Sequence, residues 1–258
     1  MEYDLYSKLG FNLKIAIIFI GTGPYVRFLT GFRERVNKFF CPNIEKDIFA
    51  FTDQIKEPSL KHPEIKTIEI EHVGWPYITL HRFKFMDSIS DKLVNYDYTF
   101  FIDADLWPVD EMKFSEFFEK DENYKFISVQ HPGFINKQGT FEDNKNSTAF
   151  SFKEEYDLSV YRQGCFWGGE TKSVLRMVSE CSNNVDIDTS NNIIAKWHDE
   201  SHMNKFFLEN IDEVKTLGPG YATPESPGYD FVWNYYDVKM VHLDKDPEAF
   251  PRFEGSGN

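Results

Sequence analysis

The segment YTFFIDAD, residues 98–105, changes from aromatic and β-branched residues to two aspartates within eight positions. Residues 98–102 have the composition of a buried β-strand, so Asp103 and Asp105 are predicted to follow the carboxyl end of that strand. In open α/β sheets ligands bind at this edge, because the loops converge there and helix N-termini point toward it. The segment therefore predicts an α/β fold with a ligand site at the two aspartates.

The chain on both sides of this segment alternates apolar strands with amphipathic helices. Residues 15–20 form a continuous apolar run that is typical of a strand buried on both faces. Apolar residues recur every three or four positions from Tyr25 to Phe39, which predicts a helix after that strand. The other predicted strands are residues 48–51, 65–70, 126–129 and 238–243, and the other predicted helices are residues 80–93, 171–181 and 191–209. This order predicts a mixed, mostly parallel sheet flanked by helices.

Length and composition bound the class of protein. A chain of 258 residues, 41% of them hydrophobic, can bury one large core or two small ones, and a single domain over residues 1–250 is the simplest interpretation. The tail at residues 251–258 is predicted to be mobile. The longest early apolar run is too short for a membrane span and no signal peptide is visible, so we expect a cytoplasmic protein.

The charge balance disfavours two classes of partner. The formal net charge is -14 at pH 7, with 42 acidic and 28 basic residues. Nucleic acid and anionic lipid both need clustered Lys and Arg, so neither is expected as a partner. The phosphates of a bound nucleotide would have to be neutralised locally, by a metal ion or by a few basic side chains.

The cysteines indicate neither a disulfide framework nor a zinc site. Cys41, Cys165 and Cys181 are odd in number and lack the spacing of a CxxC motif. We expect free thiols in a reducing compartment.

Asp103 and Asp105 are the best candidates for metal ligands. They lie two positions apart, so either an extended strand or a turn can aim both carboxylates at one ion. Mg²⁺ and Mn²⁺ take carboxylate oxygens and keep positions open for water and for diphosphate oxygens. The alternative is a pair of solvated loop aspartates, because the pattern D-x-D is weak by itself. The buried strand before it, and the lack of a Walker or GxGxxG loop, favour the metal interpretation.

A second polar cluster, WHDESH at residues 197–202, lies on a predicted helix. His198 and His202 are four apart, which is the spacing of two zinc ligands on one helix face. The zinc-protease pattern needs Glu directly after the first His, and here that residue is Asp199; no third ligand is evident either. A polar helix start is therefore favoured over zinc.

Two further motifs admit both a functional and a structural interpretation. The segment Gly164–Gly169 places small residues among large aromatic residues, as in a site where backbone approaches a ligand, or in a core turn. The segment His131–Phe134 could offer an imidazole and an aromatic platform to a sugar, or could be an ordinary turn after a strand.

In their order along the chain these segments resemble glycosyltransferase family 6, which includes the blood group A and B transferases and the α-1,3-galactosyltransferase. The resemblance covers about residues 13–245, and its most specific part is WHDESHMNKFF at residues 197–207. The supporting motifs are Phe51-Thr52-Asp53, Gly74-Trp75-Pro76, Asp103-Ala104-Asp105, His131-Pro132-Gly133-Phe134, Ser147-Thr148-Ala149-Phe150 and Gly168-Gly169.

The resemblance implies a GT-A fold and a retaining α-1,3-glycosyltransferase. Such an enzyme moves galactose or N-acetylgalactosamine from a UDP-sugar to O3 of a galactoside-type glycan acceptor. It also implies a nucleotide-binding part at about residues 13–110 and an acceptor-binding part at about residues 111–245. The oligomeric state is left open.

The resemblance also implies roles for single residues. Glu200 matches the catalytic carboxylate, and Asp103 and Asp105 match the motif that holds Mn²⁺, with Mg²⁺ as the alternative ion. The remaining matches are donor contacts at Phe19, Ile20, Tyr25, Arg82, Asp103, Ala104, Gly164, Cys165, Asp199 and Lys245, and acceptor contacts at His131, Thr140, Trp197 and Glu200. Lys245 and Arg252 resemble the basic C-terminal lid of the family.

Retention leaves two mechanisms open: attack by Glu200 to form a covalent glycosyl-enzyme, or same-face attack by the acceptor with Glu200 stabilising charge. Bacterial relatives tend to carry Asn-x-Asn at the acidic triplet and to work without metal, so Asp103 and Asp105 align this chain with metal-dependent members. Cys165 stands where a glycine would leave room for an N-acetyl group, which favours galactose as the donor sugar.

Three rival functions remain at this level. Another nucleotide-sugar transferase of the GT-A type would share the acidic pair. A sugar nucleotidyltransferase would ordinarily show a basic glycine-rich loop, whereas only Arg27 follows Gly21-Thr22-Gly23. A carbohydrate-binding module would use exposed tryptophans as stacking platforms and would need neither a metal pair nor a uridine pocket.

Overall fold

The predicted α/β class is confirmed. The computed structural model describes residues 13–119 and 123–246, and within them a seven-stranded sheet has the order β3-β2-β1-β4-β7-β6-β8. Its strands are β1 (Lys14–Ile20), β2 (Glu45–Thr52), β3 (Ile65–Glu69), β4 (Tyr98–Ile102), β6 (Phe126–Gln130), β7 (Arg162–Glu170) and β8 (Val214–Leu217), and a small second sheet contains β5 (Leu106–Pro108), β9 (Thr223–Pro224) and β10 (Met240–His242). All strands of the large sheet run parallel except β7, which is antiparallel to both of its neighbours.

Helices cover both faces of the large sheet. They are α1 (Leu29–Phe39), α2 (Tyr77–Leu80), α3 (Arg82–Asp87), α4 (Ser90–Leu93), α5 (Phe114–Phe117), α6 (Thr171–Ser190), α7 (His198–Glu209) and α8 (Asp230–Tyr235). One face packs against α1, and the other packs against α3, α6 and α7. Strand β1 is apolar from Ile15 to Ile20 because alternate residues enter the two cores: Ile17 faces α1 and Ile18 faces the opposite layer.

The segment Gly164–Gly169 is the interior of β7, so its interpretation as a core turn is wrong. Gly168 pairs with Phe100 of β4, and a Cβ atom at Gly168 would lie 2.4 Å from the Phe100 ring. At Gly169 a Cβ atom would lie 2.0 Å from the Lys125 carbonyl oxygen. The glycines therefore permit close contact between β7 and its neighbours, with aromatic side chains filling the space around them.

Two predicted helices have different limits in the structure. The predicted helix 191–209 is helical only over His198–Glu209, because the left-handed backbone at Asn192 (φ 58°) and at the helix's first residue, His198 (φ 52°), prevents a regular helix from continuing through residues 191–197. The predicted helix 80–93 is three short helices, α2 to α4, with non-helical residues between them. Strand β8 was not predicted from the sequence.

The small sheet brings the C-terminal part of the chain to the acidic triplet. His242 of β10 pairs with Leu106 of β5, and the Leu243 N–H extends that pairing by donating to the Asp105 carbonyl oxygen at 3.0 Å. Residues that follow β10 therefore lie next to Asp105. The predicted mobile tail 251–258, and Arg252 within it, lie outside the described residues.

Cys41, Cys165 and Cys181 are buried free thiols, as predicted. In the part of the chain that the structure describes, none of the helices has the length and apolar character needed to cross a bilayer.

Candidate active site

The acidic triplet follows the carboxyl end of β4, as the sequence predicted, and of the two conformations left open it forms a turn rather than an extended strand. The Asp103 N–H donates to the Cys165 carbonyl oxygen of β7 at 2.9 Å, and the Leu106 N–H donates to the Asp103 carbonyl oxygen at 3.0 Å. The turn is thereby fixed against the neighbouring strand. Its two carboxylates are directed to different cations, Arg82 and Lys245.

Arg82 is the buried centre of this site. Its guanidinium donates to the Gly164 carbonyl oxygen at 2.5 Å and forms ion pairs with Asp199 at 2.9 Å and Asp103 at 3.1 Å. It also lies over the Phe101 ring, 4.0 Å from the centroid. A buried charge is tolerated only when it is paired and hydrogen-bonded, and the planar fork of arginine meets three partners at once. Arg82 therefore ties together β4, β7 and the start of α7.

Asp105 and Lys245 form the second ion pair of the triplet. Burial by itself would raise the pKa of Asp105, but the nearby His242 and Lys245 hold it below its usual value, so the carboxylate stays ionised. The Lys245 ammonium also lies 5.3 Å from the centre of the Tyr25 ring, near the end of β1. The pair thus joins the C-terminal segment to the edge where a nucleotide is expected.

The donor set at the triplet fits a divalent cation that is completed by a ligand. Asp103 remains partly open to solvent, and the buried His242 Nε2 beside the two carboxylates has no hydrogen-bond partner among the described residues. Within residues 13–119 and 123–246, no group of three His, Cys, Asp or Glu side chains lies close enough to hold an ion alone. Two carboxylates leave positions for water and diphosphate oxygens, which is the coordination that Mg²⁺ and Mn²⁺ prefer.

Glu200 lies in the first turn of α7, next to Gly164. Its Oε2 accepts the Gly164 N–H at 2.7 Å. The buried Tyr161 hydroxyl lies near the same carboxylate and lowers its pKa, but it meets no partner at hydrogen-bonding geometry among the described residues. Burial raises the pKa of Glu200 to about 7 and that of its neighbour Asp199 to about 6, in spite of the opposing charge of Arg82. A carboxylate with a raised pKa, anchored by a backbone N–H, has the properties of a catalytic group.

The raised pKa of Glu200 predicts a pH-dependent cost in stability. Because the folded pKa of about 7 exceeds the ordinary value of 4.5, the penalty is absent below pH 4.5 and complete above pH 7. Glu200→Gln should therefore raise Tm at pH 8 by a few degrees, at about 2–4 °C per kcal/mol relieved. The gain should shrink as the pH falls to 5. Thermal melts at both pH values check this, and equal gains at pH 5 and pH 8 would contradict it.

The expected acceptor residues lie on two segments, one beside the Tyr161 ring and one at the start of α7. His131 Nδ1 accepts the Gly133 N–H at 2.9 Å, and burial lowers the pKa of His131 to about 4, so the imidazole is neutral and its Nε2 carries the proton. The Trp197 side chain is 45% exposed at the start of α7. Thr140 is half-buried and lies next to Gly139, which packs closely on the Tyr161 ring. The segment with Thr140 therefore contacts Tyr161, which lies beside Glu200, and the Trp197 carbonyl oxygen accepts the Glu200 N–H.

The expected uridine contacts have different surroundings. Phe19 is fully buried and packs edge-to-face on Phe32 at 5.1 Å, so its side chain belongs to the core and only its backbone can contact a ligand. Ile20 and Tyr25 are half-buried at the end of β1 and in the 3₁₀ turn that follows.

Two other expected donor contacts, Ala104 and Cys165, are buried. Ala104 lies in the acidic turn. Cys165 lies among Asp103, Glu200 and Arg82, where burial and the carboxylates keep the pKa of its thiol well above the usual value.

The zinc alternative is wrong for the described residues. The His198 ring packs edge-to-face on the Trp75 ring at 4.9 Å, whereas His202 is buried beside Asp188. Since His198 begins α7 with a left-handed backbone, the two histidines do not share a regular helix face.

Sequence reasoning missed Tyr161, Glu142 and His242. Tyr161 and Glu142 stand in an irregular segment without a motif, and their partners Glu200 and Lys196 are distant in sequence. His242 is one polar residue in an apolar strand, which was the only available signal.

Comparison with known proteins gives one consistent result. Residues 3–247 match the sequence model of glycosyltransferase family 6. The O-antigen biosynthesis glycosyltransferase WbnI of Escherichia coli is 34% identical over 241 residues, which is 92% of this chain and 97% of WbnI. The human globoside α-1,3-N-acetylgalactosaminyltransferase 1 is 27% identical over 94% of this chain and 69% of that protein. The histo-blood group ABO system transferase 1 of Rattus norvegicus is 26% identical over 82% and 61%, respectively.

Proposed function

The chain belongs to glycosyltransferase family 6 and is a hexosyltransferase, and from this premise we propose that it is a retaining α-1,3-transferase. It moves galactose or N-acetylgalactosamine from a UDP-sugar to O3 of an acceptor galactoside. The name of the human relative, which specifies an α-1,3-N-acetylgalactosaminyltransferase, supports the linkage. The transferase assignment takes the place of the nucleotidyltransferase and carbohydrate-binding alternatives.

The observation that carries the proposal is the position of Glu200 relative to the acidic turn. Arg82 contacts both Asp103 and Asp199, and the residue after Asp199 is Glu200, whose carboxylate is held by Gly164. The buried Arg82 guanidinium thus connects the acidic turn, where the diphosphate is expected, with the residue next to Glu200. The Glu200 carboxylate is suited to act at the anomeric carbon of the donor sugar. This arrangement supports transfer of a sugar from a nucleotide. A simple carbohydrate-binding module would have no need of such a buried network of charges.

Asp103 and Asp105 would hold Mn²⁺ or Mg²⁺, and the bound ion would neutralise the negative charge that develops on the departing UDP. Lys245 contributes a second positive charge at the same place, because it lies between Asp105 and Tyr25. The acidic net charge of the chain makes such local neutralisation necessary.

In the transfer, the bond between the anomeric carbon and the diphosphate breaks with its electron pair leaving on UDP. A bond forms from the acceptor O3, whose proton passes to UDP or to water. Glu200 either attacks the anomeric carbon first and is then displaced, or stabilises the oxocarbenium-like state while the acceptor attacks on the same face. Neutral His131 and the exposed Trp197 would orient the acceptor by hydrogen bonding and by stacking.

Calorimetry with UDP tests the proposal most directly. Mn²⁺ should strengthen the binding of UDP. In a screen of donors and acceptors by mass spectrometry, the enzyme should consume a UDP-hexose and glycosylate a galactoside. Binding of UDP that Mn²⁺ does not change would refute the metal-dependent transferase as stated. Consumption of the UDP-hexose without a glycosylated galactoside would refute a galactoside as the acceptor.

The donor sugar should be selected at Cys165. Its side chain is buried beside Asp103, Arg82 and Glu200, so its volume limits the space next to the donor sugar. Cys165→Gly should improve the ratio of kcat/KM for UDP-N-acetylgalactosamine over UDP-galactose by about 10-fold or more, which is the range for one small group in a pocket. Competition assays with both donors measure the ratio. Cys181→Ala, at a buried thiol of α6 away from the site, is the matched control, and an unchanged donor ratio in Cys165→Gly would remove Cys165 from donor selection.

A further inference from the structure

The segment between the 3₁₀ turn at Pro132–Phe134 and strand β7 contains neither helix nor strand, yet it buries one charged side chain, that of Glu142. Glu142 is only 4% exposed. One of its carboxylate oxygens accepts the Asn144 N–H at 2.8 Å, and the other accepts the Lys196 N–H at 2.5 Å. Both oxygens are therefore used for backbone contacts, and the second contact reaches a distant part of the chain.

That distant part is the entry to α7. Lys196 immediately precedes Trp197, which is the residue that precedes the helix. The Trp197 N–H donates to Ser201 Oγ at 3.0 Å and its carbonyl oxygen accepts the Glu200 N–H at 3.0 Å. Glu200 has a separate anchor at the Gly164 N–H. The Glu142 contact therefore acts mainly on Trp197.

A second buried carboxylate holds the same irregular segment. Asp188, near the end of α6, accepts the Ser147 hydroxyl at 2.5 Å and the Thr148 N–H at 2.8 Å. The His202 ring of α7 lies 3.8 Å from the same carboxylate. Asp188 therefore fixes the middle of the segment, and Glu142 fixes the part that carries Thr140.

We propose that Glu142 is a positioning residue for the acceptor, because its carboxylate holds the Lys196 backbone and so sets Trp197 against the segment of Thr140. The inference rests on the proposed function, in which Thr140 and Trp197 contact the acceptor. Glu142 reaches neither the donor nor the acidic turn through these contacts. It should therefore affect use of the acceptor and leave donor chemistry in place.

Glu142→Gln tests this role, because the amide keeps the size but removes the charge that strengthens both hydrogen bonds. At saturating donor, kcat/KM for the acceptor should fall by about 10-fold or more, as expected for loss of a charged hydrogen bond. Donor KM, and the slow transfer of the sugar to water without acceptor, should stay within about twofold of the wild type. The ratio of hydrolysis to transfer therefore rises.

Asp143→Asn is the matched control. Asp143 contacts the same residue, but through the Lys196 side chain at 2.7 Å and at a position that is 79% exposed, where an ion pair contributes little. This variant should keep the ratio of the wild type. A parallel loss of hydrolysis and transfer in Glu142→Gln, or an unchanged ratio, would overturn the proposal.

Two measurements separate this inference from the proposed function. Hydrogen exchange at the Lys196 amide should be faster in Glu142→Gln whether or not the substrate has been identified correctly, and unchanged exchange would by itself overturn the role of Glu142. Absence of transfer by the wild type to any galactoside would count against the proposed function alone. If Glu142→Gln lacks a cooperative melt, Glu142→Asp is measured in the same way, and an unchanged exchange rate and ratio in that variant also overturn the proposal.

Discussion

Glu200→Gln is expected to lower kcat by at least about 10²–10³-fold, the range for removing one preorganised electrostatic group, and by more if Glu200 is the nucleophile. The donor Kd should change little, because Gln retains an oxygen that accepts the Gly164 N–H and the Arg82 contacts are untouched. Steady-state kinetics with a saturating acceptor and calorimetry with UDP measure the two quantities.

Glu209→Gln provides the control for this result. Glu209 is the last residue of the same helix, is partly exposed, and pairs with Lys205 one turn earlier. The substitution is chemically identical but lies away from the site, so kcat should be within about twofold of the wild type, as for surface changes of up to ~0.5 kcal/mol. Near-normal turnover in Glu200→Gln would remove Glu200 from the mechanism.

Asp105→Asn is expected to abolish either the activity or its dependence on metal. An amide is a weaker ligand than a carboxylate for a hard cation. Substitution of residues that only support a metal ligand lowers metal affinity or activity by about 10–100-fold. Loss of a ligand itself should therefore lower metal affinity or activity by more than about 100-fold. The substitution also leaves Lys245 without its carboxylate partner. Donor binding and turnover, each measured with and without Mn²⁺, give the result.

Asp110→Asn is the matched variant for Asp105→Asn. Asp110 also pairs with a lysine, Lys239 at 2.6 Å, but on the exposed surface. The Asp110→Asn variant should keep the full effect of Mn²⁺ on donor binding and turnover. An unchanged Mn²⁺ response in Asp105→Asn would refute its assignment as a metal ligand.

The sequence predicted the main layers well because their signals are local. The apolar run at residues 15–20 and the aromatic run at residues 98–102 have the composition that burial on both faces requires, and both are central strands of the sheet. The acidic turn was placed correctly for the same reason, since it directly follows one of these strands. By contrast, β7 was missed because its glycines and aromatics satisfy the packing of neighbouring strands rather than an alternating pattern.

The start of α7 shows the limit of periodicity. Residues 191–197 carry apolar side chains at helical spacing, but the left-handed backbone at Asn192 and His198 makes them a loop. That loop presents the Lys196 N–H to Glu142. A helix there would use the same N–H for its own hydrogen bonding, so the contact exists only because the predicted helix is absent.

The sequence by itself determined the α/β class, the two aspartates after a buried strand and, through resemblance, the family. These features follow from short stretches of neighbouring residues, in which the spacing of apolar and polar side chains indicates the secondary structure and its burial. Only the tertiary structure decided that Arg82 lies between Asp103 and Asp199, that Lys245 reaches Asp105 across 140 positions, and that Glu200 is held by Gly164. Such contacts depend on how the strands are ordered in the sheet and on where irregular segments cross it, and no local pattern encodes either.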